Sequence, residues 1–383
     1  MGHMWRRAKP EGAVSVEAEL QSVPQRQLDR AAPAPYWDDA SEALRRTLTE
    51  SIPPDPGEPF VHPVIGPPGS GTRHIIAHAA ETQGWKVFDP PSWEEILRGA
   101  GEWLSRVENA EEELLVMPCL DRCYLRHHNG LSAIRAFFDT IRRQRRRCLV
   151  GCNSWAWAYL RTAAQIEGRH SVPLTLRPFD GANLSRWFRD LAASSGAYPV
   201  TFLQSDTGEV VLSTEDHDER GSGDAAHKTG GRAQAGAEAP AFLKHVAGRS
   251  RGIPLVAWAI WRNSLRITAK DKIEEEAVEA SRLQEGLTIW VRPWPRTTLP
   301  SVPSDLGRPE AFVLHTLLIH NGLPADLLPV LLPFAPSVIS QSLDRLNAAG
   351  LVKFEADLWR VTLLGYPAVR QYLYYEDYLV DEL

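Results

Sequence analysis

Val61-His62-Pro63-Val64-Ile65-Gly66-Pro67-Pro68-Gly69-Ser70-Gly71-Thr72-Arg73 carries the reading of this chain. Val61–Ile65 is a short apolar run, and His74–Gln83 behind the glycines has the pattern of a helix. Glycines at such a junction let the backbone turn sharply and aim several N–H groups at one point, on the positive end of the helix dipole. That is a cradle for phosphate. A working loop of this kind closes with Gly-Lys-Ser/Thr: the lysine neutralises the β- and γ-phosphates, and the hydroxyl binds Mg²⁺. Here Thr72 stands at the lysine position and Arg73 at the hydroxyl position. Arg73 supplies charge, but it leaves the helix about 100° further round.

Beyond the loop the chain alternates between the two periods. Trp85–Phe88, Glu113–Met117, Arg147–Cys152 and Ser171–Leu176 read as strands. Trp93–Val107, Gly130–Arg145 and Trp155–Ala164 read as helices. Short buried strands separated by helices predict an α/β fold, a parallel sheet with helices on both faces. Residues 1–58 are expected to form an arm and a short helix (Asp38–Glu50), and 59–180 the α/β domain. Residues 181–290 are expected to form a helical lid, with helices at Asn183–Ala193, Phe242–Ala247, Pro254–Leu265 and Lys272–Gln284. Inside it, 213–240 contains no Ile, Leu, Val, Met, Cys or aromatic residue, so it is expected to be a disordered insertion. A Pro-rich linker follows at 291–307. Three helical patterns and two short strands at 308–370 have the order of a winged helix, and 371–383 is an acidic, aromatic tail.

From Val61 to Leu265 the chain resembles the AAA+/signal-transduction ATPase superfamily, and the winged helix makes it similar to the initiator-type and STAND-type branches. The resemblance rests on the Gly66–Gly71 loop, on Leu114–Met117 followed by Asp121-Arg122, and on Asn153-Ser154 after the fourth strand. Further along it rests on Pro178-Phe179-Asp180 and on Gly252-Ile253-Pro254. It implies ATP or ADP as ligand, held by Gly66, Gly69, Ser70, Gly71, Thr72, Arg73, Asp121 and Asn153. The departures bear on activity. Where the family's third strand ends in Asp-Asp or Asp-Glu, this chain has Pro118-Cys119, and its nearest carboxylate is Asp121. Where the lid's arginine sensor is sought, Leu255 stands, with Arg251 nearby. These losses argue against a Mg²⁺ site. Phosphoryl transfer depends on positioning and charge neutralisation, so the expectation is a nucleotide-binding pseudo-ATPase that acts as adaptor or regulator of a protein partner. The alternatives are an active ATPase rewired through Arg73 and Asp121, and a DNA-associated initiator or regulator.

Composition narrows the classes. The chain has 383 residues, and 42 Lys+Arg against 48 Asp+Glu give a net charge of −6, which excludes a globally basic nucleic-acid binder. No run of about 18 apolar residues exists, so no transmembrane segment is expected. Four cysteines (Cys119, Cys123, Cys148, Cys152) are too few for a disulfide scaffold and indicate a reducing cytoplasm. Extended-strand spacing makes them buried apolar groups before it makes them a zinc site. Arg142, Arg143, Arg145, Arg146 and Arg147 form a basic run that is either a solvated helix end or a partner-binding surface for protein, lipid or nucleic acid. In a homo-oligomer it would also supply an arginine finger. The acidic tail is a candidate to dock on it. Arginine and lysine balance the carboxylates across 308–370, which makes nucleic acid unlikely as a partner of that block. Trp155, Trp157, Tyr159, Trp258 and Trp261 read as packing residues, and His127-His128 as a solvated loop pair.

Overall fold

A computed structural model describes residues 20–51, 60–166, 170–194, 199–214, 239–269 and 287–382. Its strands are β1 (Leu20–Ser22), β2 (Phe60–Gly66), β3 (Leu114–Met117), β4 (Arg147–Asn153), β5 (Leu174–Thr175) and β6 (Val200–Gln204). They continue with β7 (Val210–Ser213), β8 (Leu265–Thr268), β9 (Leu287–Val291), β10 (Val352–Glu355) and β11 (Leu358–Val361). The chain divides into two compact units. One comprises Tyr36–Arg177, Ile253–Val256 and Leu299–Leu383; the other comprises Pro178–Gly252, Ala257–Thr298 and the described part of Met1–Pro35.

The first unit contains the glycine loop. Its parallel sheet has the order β3-β4-β2-β5, so the loop-bearing strand is interior. Gly66 lies opposite Asn153, and Met117 opposite Val150. Period two sorts the side chains onto two cores. Val61, Ile65, Leu115, Met117, Cys148, Val150 and Cys152 face a layer holding Trp103, Phe137, Phe138 and Trp157. Val64, Val116 and Leu149 face the opposite layer, with Ile75, Ile76, Leu44 and Leu48. The four cysteines are buried free thiols, as their spacing predicts.

Three local expectations need correction. Trp85–Phe88 contributes a single parallel bridge, Val87 to Val116, because Asp89-Pro90-Pro91 ends the pairing. The helix predicted over Trp93–Val107 is two helices, Trp93–Leu97 and Gly101–Glu108, broken where Gly99 (φ 97°) and Ala100 (φ 54°) turn left-handed. The fifth strand is confined to Leu174–Thr175.

The same unit ends in helices Arg308–Ile319, Leu328–Leu331 and Pro336–Ala348, the β10–β11 hairpin, and helix Tyr366–Tyr375. Ala356 (φ 49°) and Asp357 (φ 61°) make the two-residue hairpin turn, where both central residues take positive φ. The tail does not dock on the arginine run. Asp381 is buried against Arg370 (2.8 Å) and Ser154 (2.5 Å), and Glu382 pairs with Arg161 at 3.2 Å.

The second unit corrects the expectation of a helical lid. It holds a five-stranded sheet of order β1-β8-β9-β6-β7, antiparallel except for β6 with β9. Val200, Phe202, Leu265, Ile267, Leu287, Ile289 and Val291 alternate into its core, the period of strands. Helices Gly181–Ser194, Ala241–Ser250 and Pro254–Ser264 supply Phe188, Phe242 and Trp261, whose rings meet at 5.3–6.1 Å. Part of the expected arm is also built into this unit, as β1 and helix Gln25–Ala31. The presumed insertion at 213–240 begins in β7 and ends at the cap of helix Ala241–Ser250; its residues 215–238 and the predicted helix Lys272–Gln284 lie outside the described residues. The linker expected at 291–307 begins in β9 and contains one 3₁₀ turn, Trp294–Arg296. Among the described residues no helix is long and apolar enough to cross a membrane.

Candidate functional site

Gly66 ends β2 at the carboxyl edge of the sheet. The neighbours β4 and β5 lie on opposite sides of β2, which leaves a crevice at the strand end of the kind that open α/β sheets use for ligands. The loop then tightens: the Ser70 N–H donates to the Pro67 carbonyl at 2.9 Å, and Gly69 and Gly71 take φ of 87° and 82°. Those left-handed values favour glycine. Gly71 caps the twelve-residue helix Thr72–Gln83, whose first-turn residues Thr72, Arg73 and His74 line the crevice; the Thr72 N–H donates to Ser70 Oγ at 3.5 Å.

The side chains within the loop depart from a lysine-bearing one. Thr72 is buried, and its hydroxyl lies 2.8 Å from that of Ser70. A Cβ on Gly66 would collide with both hydroxyls, so the loop closes around them. The Ser70 contact engages the Thr72 hydroxyl within the loop. Arg73 is exposed and lines the crevice. Trp37 presses its indole on Gly71 and stacks on His74 (ring centroids 6.4 Å apart, planes at 15°); nothing in the sequence near Trp37 signals this.

Asp121 forms the facing wall. It sits in the 3₁₀ turn Leu120–Arg122 after β3 and is 3% exposed. The Asn153 amide donates to it at 3.4 Å, and the Asn321 side chain bonds to it as well. Burial raises its pKa above the usual carboxylate range against the opposing pull of those hydrogen bonds and of Arg73. Asn153 is held in turn: its Oδ1 accepts from the Ala156 N–H at 2.8 Å, capping helix Ser154–Ala163. The structure thus gathers Gly66, Gly69, Ser70, Gly71, Thr72, Arg73, Asp121 and Asn153 around one cavity of about 320 Å³. Leu255 lines it too, and its N–H donates to the Gly69 carbonyl at 2.9 Å. Arg251 belongs to the other unit.

The sequence did not single out the remaining wall, which comes from the C-terminal block: Asn321, Gly322, Lys353, Glu355 and Arg360. Lys353 pairs with Glu355 at 2.6 Å. The arginine run lies elsewhere, and much of it is engaged locally. Arg143 pairs with Glu108 at 2.7 Å and Arg147 with Glu113 at 3.3 Å, while Arg146 donates to the Val107 and Ala110 carbonyls. The His127 and His128 rings lie 4.2 Å apart with their planes tilted by 43°, and no group of three His, Cys, Asp or Glu side chains among the described residues is placed to hold a metal.

The unit has an interior strand that runs into a glycine loop, then a helix, with a polar strand end beside it. This parallel α/β sheet flanked by helices is consistent with a P-loop NTPase fold. No family model and no curated protein sequence matches the chain. Among solved structures it is similar to the RuvB Holliday junction branch migration motor of Thermotoga maritima, at 15% identity and TM-score 0.35 over 94% of this chain and 96% of that one. It is similar also to the ORC2 protein of Aeropyrum pernix in its ADPNP-ADP complexes, at 13% identity and TM-score 0.39 over 88% and 94%. A third is the Walker-type ATPase PABY2304 of Pyrococcus abyssi, at 11% identity and TM-score 0.27 over 91% and 97%.

As chemistry, the arrangement offers backbone N–H groups and cations to a phosphate chain and one buried carboxylate opposite. It lacks a lysine inside the loop and an acidic pair at the end of β3.

Proposed function

We propose that this chain is an AAA+-like nucleotide-binding protein that hydrolyses ATP inefficiently or not at all, and that its nucleotide state regulates contact with a protein partner. The observation that carries the reading is the loop itself: two left-handed glycines place the first turn of helix Thr72–Gln83 on a 320 Å³ cavity, and the Thr72 hydroxyl is engaged with that of Ser70. Anion binding is retained and the lysine's charge is not. The residues fit the phosphates of ADP or ATP; they do not make the acidic pair that holds Mg²⁺.

A protein partner is favoured over DNA by the C-terminal block, read as a winged helix. Arg345, the lone cation of its helix Pro336–Ala348, is committed to Glu310 at 2.8 Å and Asp305 at 2.9 Å. Phe354, Tyr374 and Tyr375 stand exposed instead. One observation favours a second reading, a working ATPase. Asp121 has the raised pKa and the position of a general base.

Titration of the tryptophan fluorescence with ADP and ATP, repeated in Trp37→Phe to assign the signal, tests binding. Phosphate release tests chemistry. Saturable quenching with turnover below about 0.1 s⁻¹, against the 1–10³ s⁻¹ usual for enzymes, is expected. Faster turnover that disappears in Asp121→Asn would replace the regulatory reading with the second one. Pull-downs with the nucleotide-loaded and nucleotide-free protein are expected to recover a partner in only one of the two states.

A further inference from the structure

Arg360 belongs to β11, far in sequence from the glycine loop, yet its side chain enters the same cavity. Two features put it there. Trp359 and Leu323 exchange backbone hydrogen bonds of 3.1 and 2.8 Å, an isolated antiparallel bridge that ties β11 to the turn after helix Arg308–Ile319. In that turn Gly322 has φ 103°, and a Cβ on it would lie 2.6 Å from Arg360 Cγ and 3.0 Å from Nε. Only glycine leaves the arginine stem its path.

Its surroundings lack an anion to match. Arg360 Nε is buried and meets no hydrogen-bond partner among the described residues. Burial lowers its pKa, and Arg122 and Arg73 lower it further; Glu355 and Asp121 pull the other way. Glu355 is already paired with Lys353, and Asp121 is satisfied by two asparagine amides. A buried guanidinium nitrogen without an acceptor is costly unless something fills the place. A loop of N–H groups faces the same space.

We propose that Arg360 is a phosphate-binding residue, delivered from the C-terminal hairpin to take the charge role that Thr72 cannot. The ligand class is a di- or triphosphate, and the inference rests on reading the cavity as a nucleotide site. Guanidinium matches phosphate geometry through paired N–H donors, so an arginine lining the cavity can take the charge role of the missing ammonium. The cation then sits on a different part of the chain from the loop, and the phosphates bridge the two.

The test is calorimetric titration of the full chain, as wild type, Arg360→Gln and Arg360→Lys, with ADP and with pyrophosphate, and with adenosine as a displacing competitor. Arg360→Gln is expected to weaken ADP and pyrophosphate at least tenfold and to leave adenosine within twofold. Arg360→Lys, which keeps the charge and guards against a folding defect, is expected to stay nearer wild type. Binding of ADP by Arg360→Gln within twofold of wild type overturns the proposal while the nucleotide site stands. An equal loss for adenosine overturns it too, since the arginine would then hold the fold and not the phosphates. Pyrophosphate bound without ADP identifies free polyphosphate as the source. If wild type binds neither, the nucleotide reading falls first and Arg360 with it.

Discussion

Asp381 gives the sharpest test of how the C-terminal block is fastened. Its carboxylate has no exposed surface and accepts from Arg370 Nε at 2.8 Å, Ser154 Oγ at 2.5 Å and the Tyr366 hydroxyl at 3.4 Å. Arg370 donates a second bond to the Asp381 carbonyl at 3.0 Å, and the Trp155 indole donates to Tyr366 at 3.0 Å. Asp381→Asn preserves shape and removes charge. It leaves a guanidinium that is 14% exposed without its carboxylate, and turns an amide N–H₂ toward donors. Breaking one side of a buried ion pair costs about 3–5 kcal/mol, far more than a surface pair of about 0–1. For a unit of this size each kcal/mol moves the midpoint by roughly 2–4 °C, so Tm should fall by about 6–20 °C. Calorimetry with urea unfolding at pH 7 reads both quantities. Arg370→Met and the double variant complete a cycle in which the double costs less than the sum of the singles. A loss below about 1 kcal/mol for Asp381→Asn would show that the tail is not a structural clamp.

Acid should weaken the same unit. Burial holds the pKa of His315 down to about 4 and of His320 down to about 3, with Arg126 adding to both, so the native state keeps them neutral while the unfolded chain protonates near 6.5. The unfolded state then binds more protons, and stability present above pH 6.5 is lost as pH falls toward 4, on the order of 3 kcal/mol for each histidine. Urea midpoints from pH 7 to pH 4 measure it, and a flat profile contradicts it. Thr72→Lys, which restores the missing ammonium, is expected to tighten ADP and ATP at least tenfold; an unchanged Kd in the same titration would mean the loop does not hold phosphate. Gly66→Ala puts a methyl group against the Ser70 and Thr72 hydroxyls, so it should cost ADP affinity at least tenfold while far-UV circular dichroism stays unchanged. Retained affinity would show that the loop's closed shape is not needed.

The legible parts of the sequence were those whose cause is local. Apolar runs beside helical stripes specify β2, β3 and β4, and two glycines with a helix behind them specify the loop. The helical patterns at 181–290 hide a sheet because β6 to β9 are four or five residues long and pair across large separations, Val200 with Leu287 for example. The signal of a short strand is weak until its partner is known. Ala100 breaks a helix through a left-handed φ that its identity does not announce. Asp121 is legible because it follows β3, whereas its partner Asn321 lies in another part of the chain. The arginine run shows the converse: a dense local signal whose members Arg143, Arg146 and Arg147 meet neighbouring carboxylates and carbonyls.

The proposed displacement of charge from position 72 to position 360 would couple nucleotide to the C-terminal hairpin. In a lysine-bearing loop, phosphate affinity is set within one strand-loop-helix element. With Arg360 as the proposed phosphate residue, it would depend also on the register of β11 against Leu323 and on the clearance that Gly322 allows. Any partner that draws the C-terminal hairpin away removes a cation from the phosphates and weakens nucleotide. Linkage requires the reverse in equal measure: bound nucleotide must hold the hairpin against such a partner. On the proposed reading, a site built this way would trade turnover for a coupling between ligand and partner that an enzyme with an autonomous loop does not have. The proposal then predicts that the coupling energy, read as the change in partner affinity with and without ADP, vanishes in Arg360→Gln.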